Sequence, residues 1–264
     1  MVIKSKNIGL TLTTDEIALR NNLSVEEVKN KIEDIRNTLT PLTKEITVVE
    51  NGVSKKFMVS RLGVGPIITS TNRFYLFEFS IDDKWQKYEI LFNGNLGTNK
   101  MPITNGKHLF LRVDSACETG QKFGDKTCEC KEQLDKATAL IEKEGGMIIH
   151  IPSHDGRGKG LAFKLATMAL QEELKLNTVE AALALTDEID VRTYTGIVAI
   201  LKFFDVPKDL YILTNNSDKL KVFYDNNYNV NMVDLVIPPT EHTKHHLSAK
   251  QEYLGHKGLI RGDK

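Results

Sequence analysis

The chain has 264 residues, 41% of them hydrophobic, enough to bury a sizeable core as one large domain or two small ones. Thirty-five basic residues balance thirty-five acidic ones, so no net field draws the chain to nucleic acid or to an anionic membrane surface. No run approaches the roughly 18 apolar residues of a membrane span, and the opening MVIKSKNIGLTLTTDE lacks the apolar core of a signal peptide, which predicts a cytoplasmic protein.

From Ser24 the pattern S-x-x-E opens a helix whose apolar positions Val25, Val28, Ile32, Ile35 and Leu39 step by three and four, predicting one buried face. Asn51-Gly52 then separates two strand-like runs, and RFYLFEFS, KYEILFNG and HLFLRV follow with aromatic and β-branched character, which predicts an antiparallel sheet region. Near residue 105 the rhythm changes. A helix over about 131–144, stopped by Gly145-Gly146, leads into the apolar run MIIHI and the loop SHDGRGKG. Helical patterns continue through LAFKLATMALQEEL, TVEAALAL and RTYTGIVAILKFF, then a strand LYILT, a helix around Lys219 and a strand NMVDLVI. The second half therefore reads as an α/β layer fold. The last 25 or so residues, rich in His and Lys, read as a terminal arm.

Cys117, Cys128 and Cys130 are the only cysteines and lie within fourteen consecutive residues, too few and too clustered for a disulfide framework. The spacing C-x10-C-x-C suits a tetrahedral zinc with three thiolates and an open fourth position, the arrangement of a hydrolytic site. The same spacing is open to unligated thiols and to a structural zinc completed by a distant histidine.

The loop His154–Gly160 lies between a buried strand and a helix, where backbone N–H groups and two cations can meet an anion. It departs from the Walker pattern, because Gly160 follows Lys159. Asp190-Val191-Arg192 reads as the beginning of a helix, with a carboxylate two residues from an arginine. Thr214-Asn215-Asn216 closes the strand LYIL and, with Lys219, falls at the carboxyl edge of a sheet, where α/β proteins bind ligands.

Taken together, RVDSACETG, FGDKTCECKEQLD, DGRGKGLAFKL, ALQEE, NTVEAALAL, DVR and ILTNNSDK follow the order and spacing of the GTP cyclohydrolase II family, and the chain resembles that family over about residues 108–258. The resemblance implies an α/β (α+β) fold with a mixed sheet core flanked by helices. It divides the chain into an N-terminal helix and antiparallel strand region, 1–105, and a catalytic region with a C-terminal arm, 106–264. It also implies a zinc-dependent enzyme that opens the imidazole ring of GTP at carbon 8, releasing formate and pyrophosphate on the way to riboflavin. A homodimer and a magnesium ion accompanying the triphosphate belong to the same implication. Residue by residue, Cys117, Cys128 and Cys130 fall on the zinc ligands. Arg112, Val113, Asp114, Ser115, Ala116, Gln133, Asp155, Gly156, Arg157, Thr178, Thr214 and Lys219 fall on GTP-contacting positions. Asp190 falls on the proton acceptor and Arg192 on the nucleophile at phosphorus. A guanidinium stays protonated at ordinary pH, so an electrostatic role for Arg192 fits as well.

Three departures stand out. The family motif R-V-H-S-E-C reads R-V-D-S-A-C here, with Asp114 for the histidine and Ala116 for the carboxylate. Asp155 replaces the usual glutamate. Met168 stands where the family places a catalytic tyrosine, and a thioether has no proton to donate. The expectation is a ring-opening enzyme that retains the formyl group. The alternatives are hydrolysis of a different purine or pyrimidine nucleotide, as in homologues of pyrimidine catabolism, and a catalytically silent nucleotide-binding regulator.

Overall fold

Reciprocal capping sets the helices of the N-terminal unit, Met1–Leu42. In α1 (Thr14–Asn21) the Thr13 hydroxyl accepts from the Glu16 N–H, and in α2 (Val25–Asn37) the Ser24 hydroxyl accepts from the Glu27 N–H; each glutamate returns a bond to its cap's N–H. Two short strands, β1 (Val2–Lys4) and β2 (Thr11–Thr13), pair antiparallel in the same unit. The structure, a computed structural model, describes residues 2–4, 11–82, 86–104, 106, 108–241 and 243. The predicted buried face of α2 is realised only in its first half. Val28 is buried and Val25 and Ile32 are half-buried, whereas Ile35 and Leu39 are 58% and 75% exposed. Periodicity reports which residues share a face, and tertiary packing decides how much of it is covered.

The second unit, Thr43–Lys264, is built on an eight-stranded mixed sheet of order β10-β9-β7-β8-β6-β5-β4-β3. Its antiparallel half comprises β3 (Leu42–Glu50), β4 (Val53–Ile68), β5 (Arg73–Ile81) and β6 (Lys87–Asn93). Asn51 and Gly52 take φ of 52° and 77°, the pair of left-handed residues that a two-residue hairpin needs to match strand twist. The parallel half comprises β7 (His108–Ser115), β8 (Gly146–Ile151), β9 (Asp209–Leu213) and β10 (Asn229–Val233). HLFLRV was expected among the antiparallel strands. It forms β7, which pairs parallel with both β8 and β9, because the chain leaves and returns through helical crossovers.

The halves join where β6 pairs antiparallel with β8. The change of rhythm near residue 105 therefore marks a change of strand connection inside one sheet, while the compact units divide after Leu42. Helices cover both faces. Phe74 of β5 packs with Ile148 of β8 and with Ile141 of α4 (Cys130–Glu144). On the opposite face, Phe77 and Phe79 of the same strand meet Phe203 and Phe204 of α7 (Thr195–Phe204) edge to face, at 5.1–5.2 Å between ring centroids. The remaining helices are α3 (Glu118–Phe123), α5 (Gly160–Leu174), α6 (Thr178–Leu183) and α8 (Lys221–Tyr224). The C-terminal arm expected from the sequence falls, from residue 244, outside the described residues. Among the described residues no helix is long and apolar enough to cross a membrane.

Candidate active site

The loops at the carboxyl ends of β7, β8 and β9 meet around a pocket of about 490 Å³, the position at which α/β sheets present ligand sites. Cys117 follows β7 and caps α3, Cys128 sits in the connection to α4, and Cys130 opens α4. The three sulfurs lie within 4.8 Å of one another, with Cys117 Sγ and Cys128 Sγ 3.6 Å apart. A tetrahedral zinc with bonds of about 2.3 Å requires sulfurs about 3.8 Å apart, so the donor set and its spacing fit that metal. Gly120 supplies the room: a Cβ there would stand 2.6 Å from Cys128 Sγ and 3.1 Å from Cys117 Sγ. Hydrogen bonds from the Cys128 and Cys130 thiols, aided by Lys164, hold the Cys117 thiol far below the ordinary range. Cys128, which shares its hydrogen bond with the Cys117 sulfur, is pushed up to about 11.

Cations gather beside the thiols. Arg112, Arg157, Arg192 and Lys219 all line the pocket. Arg112 donates to the Leu213 carbonyl at 3.1 Å and to Gln133 at 3.2 Å, yet its buried Nε has no partner. Arg157 donates to the Thr178 hydroxyl at 2.9 Å and leaves a buried Nη1 unmatched. Lys219 is buried, and burial together with Arg112 and Arg192 drives its ammonium well below the ordinary lysine range. Unmatched buried donors and crowded positive charge are costly, and a polyanion is the partner that would relieve both.

Asp155 and Gly156 lie in the turn Pro152–Gly158, where Gly156 and Arg157 both take left-handed φ, 56° and 58°. Gly158 lets a second loop approach: its Cβ would meet Val191 Cγ2 at 2.9 Å, and the Val191 N–H donates to the Arg157 carbonyl at 3.1 Å. That contact seats Asp190 and Arg192. The expected helix start at Asp190 is not formed, since α7 begins at Thr195. Instead the Asp190 carboxylate accepts the Arg192 backbone N–H at 3.1 Å and grips its guanidinium through Nε at 2.8 Å and through Nη2, a local turn that competes with helix. Burial opposes the Arg192 charge, but the bond and charge of Asp190 together with the charges of Tyr194 and Cys130 outweigh it and raise the guanidinium further.

Among the positions singled out from sequence, the cysteines, Arg112, Asp114, Ser115, Ala116, Gln133, Asp155, Gly156, Arg157, Met168, Thr178, Arg192 and Lys219 converge on the pocket. Val113 does not line it, being fully buried on the alternate face of β7. Thr214 is likewise buried away from it, its hydroxyl accepting the Asn216 N–H at 3.1 Å. Asp190 reaches the pocket only through Arg192.

Sequence reasoning missed Lys164, Thr167 and Gln171, which share the pocket with Met168. Their spacing on α5 was the available signal, because positions 164, 167, 168 and 171 form one helical face. It also missed His154, whose Nδ1 faces the Ser115 hydroxyl at 3.2 Å and whose Nε2 faces the Thr193 carbonyl at 3.0 Å. Burial, Arg192 and Lys219 lower His154 to about 3, so it is a neutral imidazole with Nε2–H donating to Thr193.

Residues 68–236 match the GTP cyclohydrolase II family. The chain is 33% identical over 217 residues to the GTP cyclohydrolase-2 of Streptomyces coelicolor, spanning 81% of this chain and 94% of that one. It is 30% identical over 190 residues to the GTP cyclohydrolase-2 of Picrophilus torridus, spanning 70% and 93%. It is 32% identical over 191 residues to the riboflavin biosynthesis protein RibBA of Staphylococcus epidermidis, spanning 71% of this chain and 45% of that longer one.

Proposed function

Because the chain belongs to the GTP cyclohydrolase II family and is an enzyme of that type, we propose that it hydrolyses GTP, opening the imidazole ring at carbon 8 with release of pyrophosphate and retention of the formyl group. The observation that carries this reading is the juxtaposition, in one pocket, of three thiols fit for zinc with the cations Arg112, Arg157, Arg192 and Lys219. Cys117, Cys128 and Cys130 would hold the zinc, which when bound supplies a Lewis acid and an ionisable water. Arg157, Arg192 and Lys219 bind the triphosphate, and magnesium accompanies it.

Asp190 holds the permanently charged Arg192 in place, so Arg192 serves at phosphorus by stabilising the charge of the departing pyrophosphate. Removal of the formyl group requires a proton for the leaving amine. Met168 lines the pocket where the family places a phenol, and its thioether holds no proton to give. This supports a formamidopyrimidine as the released product. The remaining elements of the reading, a cytoplasmic homodimer without nucleic-acid or membrane partners, follow from the family and from the balanced charge.

The test is incubation of the zinc-loaded protein with GTP and magnesium, following formate, pyrophosphate and product mass together. The expected outcome is pyrophosphate with a ring-opened product that keeps its formyl mass. Stoichiometric formate would overturn formyl retention, and untouched GTP would overturn the substrate.

A further inference from the structure

Lys164 stands 47 residues along the chain from Cys117, yet its Nζ donates to Cys117 Sγ at 2.9 Å and to Asp155 Oδ1 at 3.1 Å. Both partners are buried, and the lysine side chain itself is 18% exposed. The Asp155 carboxylate is occupied by the protein on both oxygens. Oδ1 also accepts the Gly156 N–H at 2.9 Å, and Oδ2 accepts the Glu118 N–H at 3.3 Å. These bonds fix the orientation of the carboxylate against Lys164 and the start of α3. The other pocket cations donate to oxygen: Arg112 to Leu213 and Gln133, Arg157 to Thr178, Arg192 to Asp190, and Lys219 to Ser115 at 3.4 Å.

Three thiolates and one divalent cation carry a net charge of about −1, and a buried net charge is costly unless a partner neutralises it. Lysine at hydrogen-bond distance from one ligand sulfur is such a partner. Charged groups that hold a metal ligand in place are part of how a site keeps its metal.

We propose that Lys164 is a positioning residue that neutralises the three-thiolate centre and, through Asp155, ties the Pro152–Gly158 turn to it. The α5 face that carries Met168 one turn further on is thereby locked to the metal ligands. This inference rests on the reading of the three cysteines as zinc ligands.

The experiment measures metal binding alone. Apo protein, its folding checked by thermal unfolding, competes with a chromophoric chelator for Zn2+, and Co2+ is titrated to read the thiolate charge-transfer bands. The parent chain is compared with K164M, K164Q, K164R and C128S. Zinc affinity should fall about 10- to 100-fold in K164M, with shifted Co2+ charge-transfer bands, and K164R should restore most of the loss. K164Q reads the same loss should K164M fail to fold. C128S should lose zinc altogether. Unchanged affinity and spectra in K164M and K164Q, with zinc lost in C128S, would overturn the role of Lys164 and leave the zinc reading standing. Undiminished zinc in C128S would overturn the zinc reading and this inference with it.

Discussion

His150 Nδ1 and Asp114 Oδ2 meet at 2.7 Å across a register pair of the parallel strands β7 and β8. The imidazole comes from the neighbouring strand and closes on a carboxylate that is itself buried. The same carboxylate accepts Gln121 Nε2 at 2.9 Å and Arg112 at 3.4 Å, while Gln121 Oε1 accepts the Cys117 N–H at 3.0 Å. A continuous set of bonds thus runs from His150 to the backbone N–H of Cys117, the first residue of the cluster.

This pair should appear in the pH dependence of stability. Burial would raise Asp114, but the bond from His150 and the charge of Arg112 bring it down to about 2. Burial would lower His150, and Asp114 raises it above the ordinary imidazole value. A lowered carboxylate contributes stability above its unfolded pKa of about 3.9, lost as pH falls through its folded value; a raised histidine contributes below about 6.5, lost as pH rises through its folded value. Both contributions are therefore complete between about pH 4 and 6.5. Asp114→Asn should cost about 1–3 kcal/mol in that window and lower the His150 titration midpoint followed by NMR. An unmoved midpoint would show that the pair is not coupled in solution.

Gly120→Ala places a methyl group 2.6 Å from Cys128 Sγ. Overpacking of this kind costs about 1–3 kcal/mol, and here the displaced atom is a thiol of the cluster. Zinc per chain, measured by metal analysis after dialysis against a weak chelator, should fall while the fold persists. Full zinc retention would mean that the thiols need no such clearance.

Lys219 has its proton affinity depressed by burial and by Arg112 and Arg192, and a bound triphosphate reverses that balance. Nucleotide binding should therefore take up a proton and weaken as pH rises. Calorimetry in buffers of different ionisation enthalpy reads the uptake directly. Lys219→Met should abolish it and weaken GTP about 10- to 100-fold, the loss expected for a hydrogen bond to a charged group.

Met168→Tyr restores a proton donor in the pocket, so formate release should rise relative to pyrophosphate release. Ring opening with no gain in formate would assign the missing step to another group.

The α4 helix with its Gly145 stop, the Ser24 cap of α2 and the Asn51-Gly52 hairpin were legible along the chain, because capping, glycine stops and left-handed turn residues are local effects. The thiol cluster was legible too, since Cys117, Cys128 and Cys130 lie close in sequence and their side-chain chemistry restricts what they can do. Local reading failed where a local bond competed with a periodic pattern, as at Asp190 and Arg192, whose side-chain turn displaces the expected helix start to Thr195.

Other features depended on contacts between distant segments. The parallel pairing of β7, the union of both halves in one sheet, the His150 imidazole at Asp114 and the Lys164 ammonium at Cys117 all join residues far apart in the chain. Residue types and short spacings determine local conformation and available chemistry. Which charge neutralises which, and which side of a strand meets the pocket, is settled only when burial removes water and forces each polar group to find a partner.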